Sequence, residues 1–324
     1  MRVRRRGPVT TATPFQSRLV VTLMNVLVYG AGALGSLIGG LLARVHDVIL
    51  VGRDPHMRRI REDGLRIDGA VEARVRPRAL TDGTHRSADL ALVTTKAYDT
   101  DAAARALATG EYDAVCSLQN GLTEERLVAA LDPTVLAGTA SYGARLAEPG
   151  RVTCTGIGEV VVGSLAGGPD PLAERVGAAF DEAGIETTVA PDMPRRRYEK
   201  LAVNAGINGP SALARLANGA TLDGPGGEVA REAAREVARV ARADGVDLGE
   251  DEAVAAVERV ANDTAANRSS MHEDVAAGRR TEVDAIYGAV ADRADRFGAS
   301  APTCRTIASL IRAWEIGEGV RESA

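Results

Sequence analysis

Two lysines stand out in this sequence because almost every other basic residue is an arginine. The chain has 39 Lys plus Arg, and only Lys96 and Lys200 are lysines, so the other 37 are arginines. Arginine stays charged at any ordinary pH, whereas the ammonium group of a lysine can be tuned to give up a proton. A lysine that persists in such a chain is expected where a guanidinium group cannot serve.

Lys200 also belongs to a polar pattern in which residues recur every four positions: Lys200, Asn204 and Asn208. On a helix this spacing places an ammonium group and two amides on nearly one face. The simpler interpretation is a solvated helix face with two incidental asparagines. Asparagine is a poor helix former, and perturbable lysines cluster at functional sites, so the pattern favours a functional face.

A second dense polar group runs from Asn267 through Ser270 to Asp284. Within it, Thr281 and Asp284 resemble a capping box that starts a helix. Glu282 would then lie in the first turn, where the helix dipole favours a carboxylate. Reduction of a ketone needs a hydride donor, a proton donor at the carbonyl oxygen, and groups that hold the substrate. A lysine near a carboxylate and amides can supply the proton and the holding groups.

The elements that must position these side chains begin with a glycine-rich turn. The apolar segment 26–29 predicts a buried strand, and from Leu34 onward apolar residues recur at helical spacing. A GxGxxG sequence between a strand and a helix permits a tight turn, close approach of a pyrophosphate and close helix–strand packing. The helix N-terminus also faces the anion. The residues predicted to bind a dinucleotide here are Gly30, Ala31, Gly32, Ala33, Leu34 and Gly35.

Arg53 follows the second predicted strand, 47–51. An acidic residue at this point would bind the adenosine ribose, whereas an arginine accommodates a 2′-phosphate. Arg53 therefore favours NADPH as the cofactor, and the neighbouring Asp54 leaves NADH open. A plain surface arginine is the simpler alternative in a chain so rich in this residue.

Lys96 and Asn120 each follow a predicted strand, 88–95 and 113–118 respectively. Ligands bind outside the carboxyl ends of strands in open α/β sheets, so both side chains are expected at the cofactor crevice. The segment 65–80 alternates loosely and predicts hairpin structure. Strands are predicted up to residue 189, and only helices after Pro191.

The predicted fold is therefore α/β, with an N-terminal Rossmann-type parallel-sheet domain over residues 24–191 and a C-terminal all-helical domain over 192–324. Residues 1–23 are expected to be a disordered tail or a miscalled start, because they are rich in arginine and lack periodicity. Residues 19–43 contain no charged residue before Arg44 and could suggest a membrane anchor. The dinucleotide fingerprint explains the same glycines better.

Composition excludes several classes of function. A net charge of −5 and an aromatic content of 3% argue against nucleic-acid binding. The three cysteines and four histidines form no ligand spacing, so no metal site is expected. With no membrane span predicted, a cytoplasmic enzyme is expected. The sequence does not specify the oligomeric state, and a homodimer is one option.

Taken in order, these motifs resemble the ketopantoate reductase (2-dehydropantoate 2-reductase) family from Met24 nearly to the C-terminus. The resemblance implies NADPH-dependent reduction of 2-dehydropantoate to pantoate, with Lys200 as general acid. It also implies a carboxylate at the nicotinamide end of the site, Glu282. The resemblance further implies substrate-holding positions at Asn204, Asn208, Asn267 and Ser270, and crevice positions at Lys96 and Asn120. Tyr198 stands where the family often has tryptophan, which loosens the substrate assignment.

Two alternatives stay open at this stage. Another 2-keto acid or hydroxy acid dehydrogenase of the same two-domain build would carry the same motifs. A non-catalytic NADP sensor would keep the glycines but would need no proton donor, so Lys200 and its amide neighbours argue against it.

Overall fold

The computed structural model of the protein describes residues 23–322, so the predicted N-terminal tail lies almost wholly outside the described residues. Strands and helices alternate in the first half of the chain. These elements are β1 (Asn25–Tyr29), α1 (Ala33–Leu42), β2 (Asp47–Val51), α2 (His56–Asp63), β3 (Leu65–Gly69), β4 (Ala73–Val75), β5 (Arg78–Leu80), β6 (Ser87–Val93), α3 (Thr100–Leu107), β7 (Glu111–Ser117), α4 (Glu124–Val128), β8 (Thr134–Ala140), β9 (Gly143–Glu148), β10 (Arg151–Gly156), β11 (Val160–Ser164), α5 (Pro171–Glu182) and β12 (Thr187–Val189).

The second half is helical, as predicted. Its elements are α6 (Met193–Ala214), α7 (Gly224–Ala243), α8 (Glu250–Asp263), α9 (Ser270–Ala276), a π-helical segment (Asp284–Gly288) that runs into α10 (Ala289–Phe297), and α11 (Pro302–Gly317).

The main sheet has eight strands in the order β12-β11-β8-β7-β6-β1-β2-β5. Neighbouring strands are parallel except for β8 and β11, which pair antiparallel. The fold prediction of an N-terminal Rossmann-type sheet followed by a helical part is confirmed. The single antiparallel pair was not predicted, because the direction of a strand is decided by its pairing and not by its own residues.

Helices cover both faces of this sheet, so its central strands are buried on both sides. In β1, Val28 packs into a core with α1 and α5, whereas Leu27 points to the opposite core with α3 and α4. This explains why β1 reads as a continuous apolar run and not as an alternating pattern. The sheet therefore presents its carboxyl edge, and the loops that follow it, as the open end of the layered structure.

The segment 65–80 forms more than the predicted hairpin. β3 and β4 pair antiparallel, but β5 joins β2 at the edge of the main sheet. β3 also pairs with β10 in a second sheet of order β4-β3-β10-β9. Apolar residues of β3 pack on α1, where a Cβ at Gly40 would lie 2.8 Å from side-chain atoms of both Leu65 and Ile67. This long-range packing decides the pairing, and a local pattern cannot show it.

The helical half has its own apolar core, built around α6 and formed mainly from α6, α7, α8, α10 and α11. Helix α8 begins at Glu250, where the Glu252 carboxylate accepts a 2.8 Å hydrogen bond from the Gly249 N–H. Helix α3 and helix α9 were not predicted.

The expected capping box of Thr281 and Asp284 was also wrong. The N–H of Thr281 donates to Glu315 Oε1 at 2.7 Å, and the Asp284 carboxylate binds Arg312 and Arg321 instead. The Thr281 hydroxyl does accept a 3.2 Å bond from the Val283 N–H, so Thr281 still starts the helical segment. Among residues 23–322, no helix is long and apolar enough to cross a membrane.

Candidate active site

One large cleft lies at the carboxyl edge of the main sheet, between the sheet and the helical half. Its volume is about 1120 Å³, more than the roughly 300–1,000 Å³ of a typical small-molecule pocket, so it has room for two ligands. Both lysines of the chain line it. The other predicted site residues in its lining are Gly30, Ala31, Gly32, Ala33, Leu34, Arg53, Asn120, Asn204, Ser270 and Glu282.

The three glycines of the fingerprint have three different environments. Gly30 has a φ of +109°, a backbone conformation that residues with a side chain rarely adopt. A Cβ at this position would also lie 2.4 Å from the Thr95 nitrogen. A Cβ at Gly35 would lie 2.4 Å from Thr94 Oγ1, so this glycine lets α1 pack closely on the sheet and does not line the cleft. A Cβ at Gly32 would come no closer to the described residues than 3.9 Å, the distance to the Gly30 oxygen. Gly32 therefore leaves open space at the cleft.

The first turn of α1 borders that space. The helix begins at Ala33, and the first amide groups of a helix have no intrahelical acceptor. Together with the positive end of the helix dipole, they favour an anion at this point. The glycine loop thus fits the pyrophosphate of a dinucleotide.

Arg53 follows the carboxyl end of β2 and lines the same cleft as the glycine loop. Its side chain is 88% exposed and pairs with Asp99 at 3.0 Å. The Oδ1 atom of neighbouring Asp54 accepts a 2.9 Å bond from the Arg58 N–H and so caps α2. The exposed guanidinium is therefore the more available of the two side chains for a ligand.

Lys96 and Glu282 meet in the lining of the cleft, although they lie in different halves of the chain. Lys96 Nζ donates to Asp274 Oδ2 at 2.7 Å and lies 3.6 Å from Glu282 Oε2. Burial lowers the pKa of Lys96, but the Glu282 and Asp274 carboxylates outweigh it and leave the pKa raised. Lys96 is thus held as a cation between two buried carboxylates.

Glu282 is also held by the loops that follow two strands. Its Oε1 accepts from the Ala97 N–H and its Oε2 from the Asn120 amide, both at 2.9 Å. Gly121, with φ +85°, brings the same loop against the helical half, because a Cβ there would lie 2.2 Å from the Ala285 oxygen. The carboxylate and the loop after β7 therefore form one rigid contact.

Lys200 lies on α6 at the other wall of the cleft. Its Nζ donates a 2.7 Å hydrogen bond to the carbonyl oxygen of Ala140, at the end of β8. Burial lowers its pKa to about 8, and the Glu282 and Glu124 carboxylates offset only part of that effect. A lysine with this pKa can give up a proton near neutral pH.

The predicted amide face is only partly directed into the cleft. Asn204 lines it, and its buried Nδ2 finds no hydrogen-bond partner among residues 23–322. Ser270 also lines the cleft, at the first turn of α9. Asn208 is buried at 5% exposure and Asn267 is exposed, and neither belongs to the cleft lining.

Three residues that shape this site were given no site role in the sequence analysis. Asp274 binds Lys96, and its position after Ser270 in a polar run was the available signal. Gln119 holds the turn before Lys96, donating to Thr95 O at 3.1 Å. His56 accepts from the Gly150 N–H and contacts Ser36 Oγ, both at 2.9 Å, so it joins α2 to α1 and the second sheet.

Two family models match the chain, one on each half. Residues 26–167 match the model described as ketopantoate reductase PanE/ApbA, and residues 192–315 match the model described as its C-terminal part. A 2-dehydropantoate 2-reductase of Halobacterium salinarum is 44% identical over 299 residues, covering 89% of this chain and 98% of that protein. One of Archaeoglobus fulgidus is 37% identical, covering 91% and 99%.

Solved structures share the arrangement. A PanE/ApbA family ketopantoate reductase from Ralstonia eutropha superposes with a TM-score of 0.84 at 32% identity, covering 91% of this chain and all of the other. A D-mandelate dehydrogenase in complex with NADH superposes with a TM-score of 0.81 at 25% identity, covering 91% and 99%.

Proposed function

This chain belongs to the ketopantoate reductase family, and we propose that it reduces 2-dehydropantoate to pantoate with NADPH, a step toward pantothenate and coenzyme A. The observation that carries the proposal is the placement of Lys200, whose pKa is about 8, in one cleft with the glycine loop. The family makes the chain an oxidoreductase, and the cleft supplies a proton donor for its chemistry.

Reduction of the ketone adds a hydride to the carbonyl carbon and a proton to its oxygen. A nicotinamide dinucleotide, when bound, supplies the hydride. Lys200 is assigned as the general acid, because an ammonium group can stabilise the negative charge that develops on the oxygen and then transfer its proton. Glu282 is assigned to the nicotinamide end of the cleft, where it holds Lys96 and Asn120.

The keto acid is assigned to the wall formed by α6 and α9. Asn204 Nδ2 is a buried donor that finds no acceptor among residues 23–322. A buried donor without an acceptor costs about 1–3 kcal/mol, and a substrate oxygen would remove that cost. Ser270 adds a hydroxyl to the same wall. Asn208 and Asn267 lie outside the lining, so we assign substrate contacts to Asn204 and Ser270 first.

The cofactor is assigned as NADPH because of Arg53. Its guanidinium is 88% exposed at the adenosine end of the glycine loop, and guanidinium groups bind phosphate through charge-assisted hydrogen bonds. Lys96 and Asn120 are assigned to the inner part of the same cofactor site. NADH is the alternative, and Asp54 would be its ribose ligand.

Two further assignments concern the whole chain. We place the boundary between a dinucleotide-binding domain and a catalytic domain at residues 191–192, because β12 ends at Val189 and α6 begins at Met193. A cytoplasmic location and a homodimer stay predictions. Fractionation of the cells and light scattering of the purified protein would test them.

The experiment that tests the function is NADPH oxidation with a panel of keto acids. We expect 2-dehydropantoate to give the highest kcat/KM, ahead of pyruvate, 2-oxoisovalerate and phenylglyoxylate. A preference for phenylglyoxylate would favour a mandelate-type dehydrogenase instead, the second candidate that the fold similarity supports. Cofactor binding without turnover of any keto acid would indicate an NADP sensor.

The matched variant is Lys200→Met, which keeps most of the length of the side chain and removes its ammonium group. It should bind NADPH as the unaltered protein does and should turn over none of the panel. This variant therefore separates loss of catalysis from loss of cofactor binding.

A further inference from the structure

Tyr287 inserts its hydroxyl group into the backbone of α6. The hydroxyl donates a 2.7 Å hydrogen bond to the carbonyl oxygen of Ala205 and accepts a 2.6 Å bond from the N–H of Gly209. These two groups are four residues apart, so they are the pair that bonds directly in an uninterrupted helix. The Tyr287 side chain is fully buried, and its hydroxyl makes no other hydrogen bond among the described residues.

The contacted stretch of α6 contains residues that favour a helix poorly. Gly206 and Gly209 both stabilise a helix less than alanine does. Pro210 lacks an N–H, so the carbonyl oxygen of Gly206 has no donor four residues on. A Cβ at Gly209 would lie 2.4 Å from the Tyr287 hydroxyl, so glycine is needed there for the hydroxyl to approach. The Tyr287 hydroxyl therefore supports a stretch of α6 that glycine and proline leave with weaker helical hydrogen bonding.

This stretch adjoins Asn204 and contains Asn208, the two amides of the predicted functional face. Asn204 directly precedes Ala205, and Asn208 directly precedes Gly209. Tyr287 itself lies in the π-helical segment Asp284–Gly288, which begins two residues after Glu282. The same tyrosine thus joins the segment that follows Glu282 to the helix that carries Lys200 and Asn204.

We propose that Tyr287 is a positioning residue of the reductase: its hydroxyl fixes the backbone of α6 so that Asn204 is directed at the keto acid. The proposal rests on the proposed function. Tyr287 itself does not belong to the lining of the cleft. Its effect therefore reaches the substrate through Ala205 and Gly209.

The test is Tyr287→Phe, which removes the hydroxyl and keeps the ring. We expect the KM for the keto acid to rise roughly tenfold or more, because small misplacements of binding groups cost up to about a hundredfold. The KM for NADPH should change less than about twofold, since the glycine loop is untouched. Hydrogen exchange of the Gly209 amide should become faster, because its acceptor is gone.

Tyr198→Phe is the matched control. Tyr198 is a buried tyrosine on the same helix, but its hydroxyl bonds the Asp244 side chain and not the backbone of α6. Its loss should lower the melting temperature with little change in the KM for the keto acid. If Tyr287→Phe behaved in the same way, with Gly209 exchange unchanged, the hydroxyl would be merely structural and the proposal would be overturned.

A second variant, Gly209→Ala, tests the same proposal if Tyr287→Phe does not fold. Gly209→Ala keeps the hydroxyl but displaces it, so it should raise the KM for the keto acid in the same direction. An equal rise in the KM for NADPH in either variant would also overturn the proposal. If the unaltered protein reduces no keto acid, the proposed function fails. Hydrogen exchange of the Gly209 amide in Tyr287→Phe would then still test the contact between the Tyr287 hydroxyl and the backbone of α6. A faster exchange rate would support that contact, and an unchanged rate would overturn it.

Discussion

Lys200 on α6 donates a 2.7 Å hydrogen bond to the carbonyl oxygen of Ala140, the last residue of β8. This bond joins the helical half of the chain to the carboxyl edge of the sheet, which is where ligands bind in open α/β folds. It holds the lysine at the cleft while burial lowers its pKa to about 8. The packing of α6 on the sheet therefore both places Lys200 at the cleft and buries its ammonium group.

The pH dependence of the reaction should follow Lys200. The protonated form donates in the reduction, so kcat/KM for the keto acid should fall as the pH rises through about 8. Oxidation of pantoate needs the neutral lysine and should become faster as the pH rises through the same pKa. Initial rates in both directions from neutral to alkaline pH would measure this. A reduction rate that stays flat well above that pKa would contradict the assignment.

Replacing Lys200 by methionine should stabilise the protein while it abolishes catalysis. The pKa is lowered from 10.5 to about 8, so the charged form is penalised in the fold. Loss of the hydrogen bond to Ala140 costs about 1 kcal/mol. The free energy of unfolding should therefore rise near neutral pH by a net amount on the order of 2 kcal/mol. Between about pH 8 and 10.5 the unfolded chain binds more protons than the fold, so the gain should shrink as the pH rises. Urea unfolding at neutral and at alkaline pH would test this, and a loss of stability at neutral pH would refute it.

Lys200→Arg separates proton transfer from charge. An arginine can stabilise the developing oxyanion, but its pKa lies too far above the working pH to supply a proton. We expect NADPH binding to persist and kcat to fall by roughly 10²–10⁴-fold. Lys96→Arg is the comparison, since it keeps a cation beside Asp274 and Glu282 and should lose less. Near-normal kcat in Lys200→Arg would make Lys200 an electrostatic clamp and assign the proton to water or Lys96.

Two glycine substitutions should separate binding from folding. A Cβ at Gly32 meets open space, so Gly32→Ala should keep the melting temperature and weaken the cofactor by occupying its place. A Cβ at Gly35 would lie 2.4 Å from Thr94 Oγ1, so Gly35→Ala should lower the melting temperature by forcing α1 from the sheet. Thermal unfolding and cofactor titration of both variants would show this. Unchanged cofactor affinity in Gly32→Ala would place the pyrophosphate elsewhere.

Arg53→Ala tests the choice of cofactor. Loss of charge-assisted bonds to the 2′-phosphate should weaken NADPH by about 1.5–3 kcal/mol and leave NADH nearly unchanged. Asp54→Ala is the opposite case, because it should weaken the binding of NADH alone if this carboxylate binds the ribose. Dissociation constants for both cofactors decide the point. Equal weakening of NADPH and NADH by Arg53→Ala would make Arg53 structural and favour NADH as the natural cofactor.

The sequence by itself determined the local features of this protein. The glycine turn between β1 and α1 and the end of the strands near residue 190 were predicted, because short-range sterics and periodicity specify them. The two lysines were found by composition alone, and both lie in the same cleft.

Tertiary structure decided everything that depends on pairing between distant segments. Spacing placed Lys200, Asn204 and Asn208 on one helix face, but only packing shows that Lys200 and Asn204 line the cleft while Asn208 is buried outside it. The meeting of Lys96 with Asp274 and Glu282 joins residues 178 or more positions apart. The burial that lowers the pKa of Lys200 comes from the whole fold, because desolvation depends on surrounding atoms and not on neighbours in sequence.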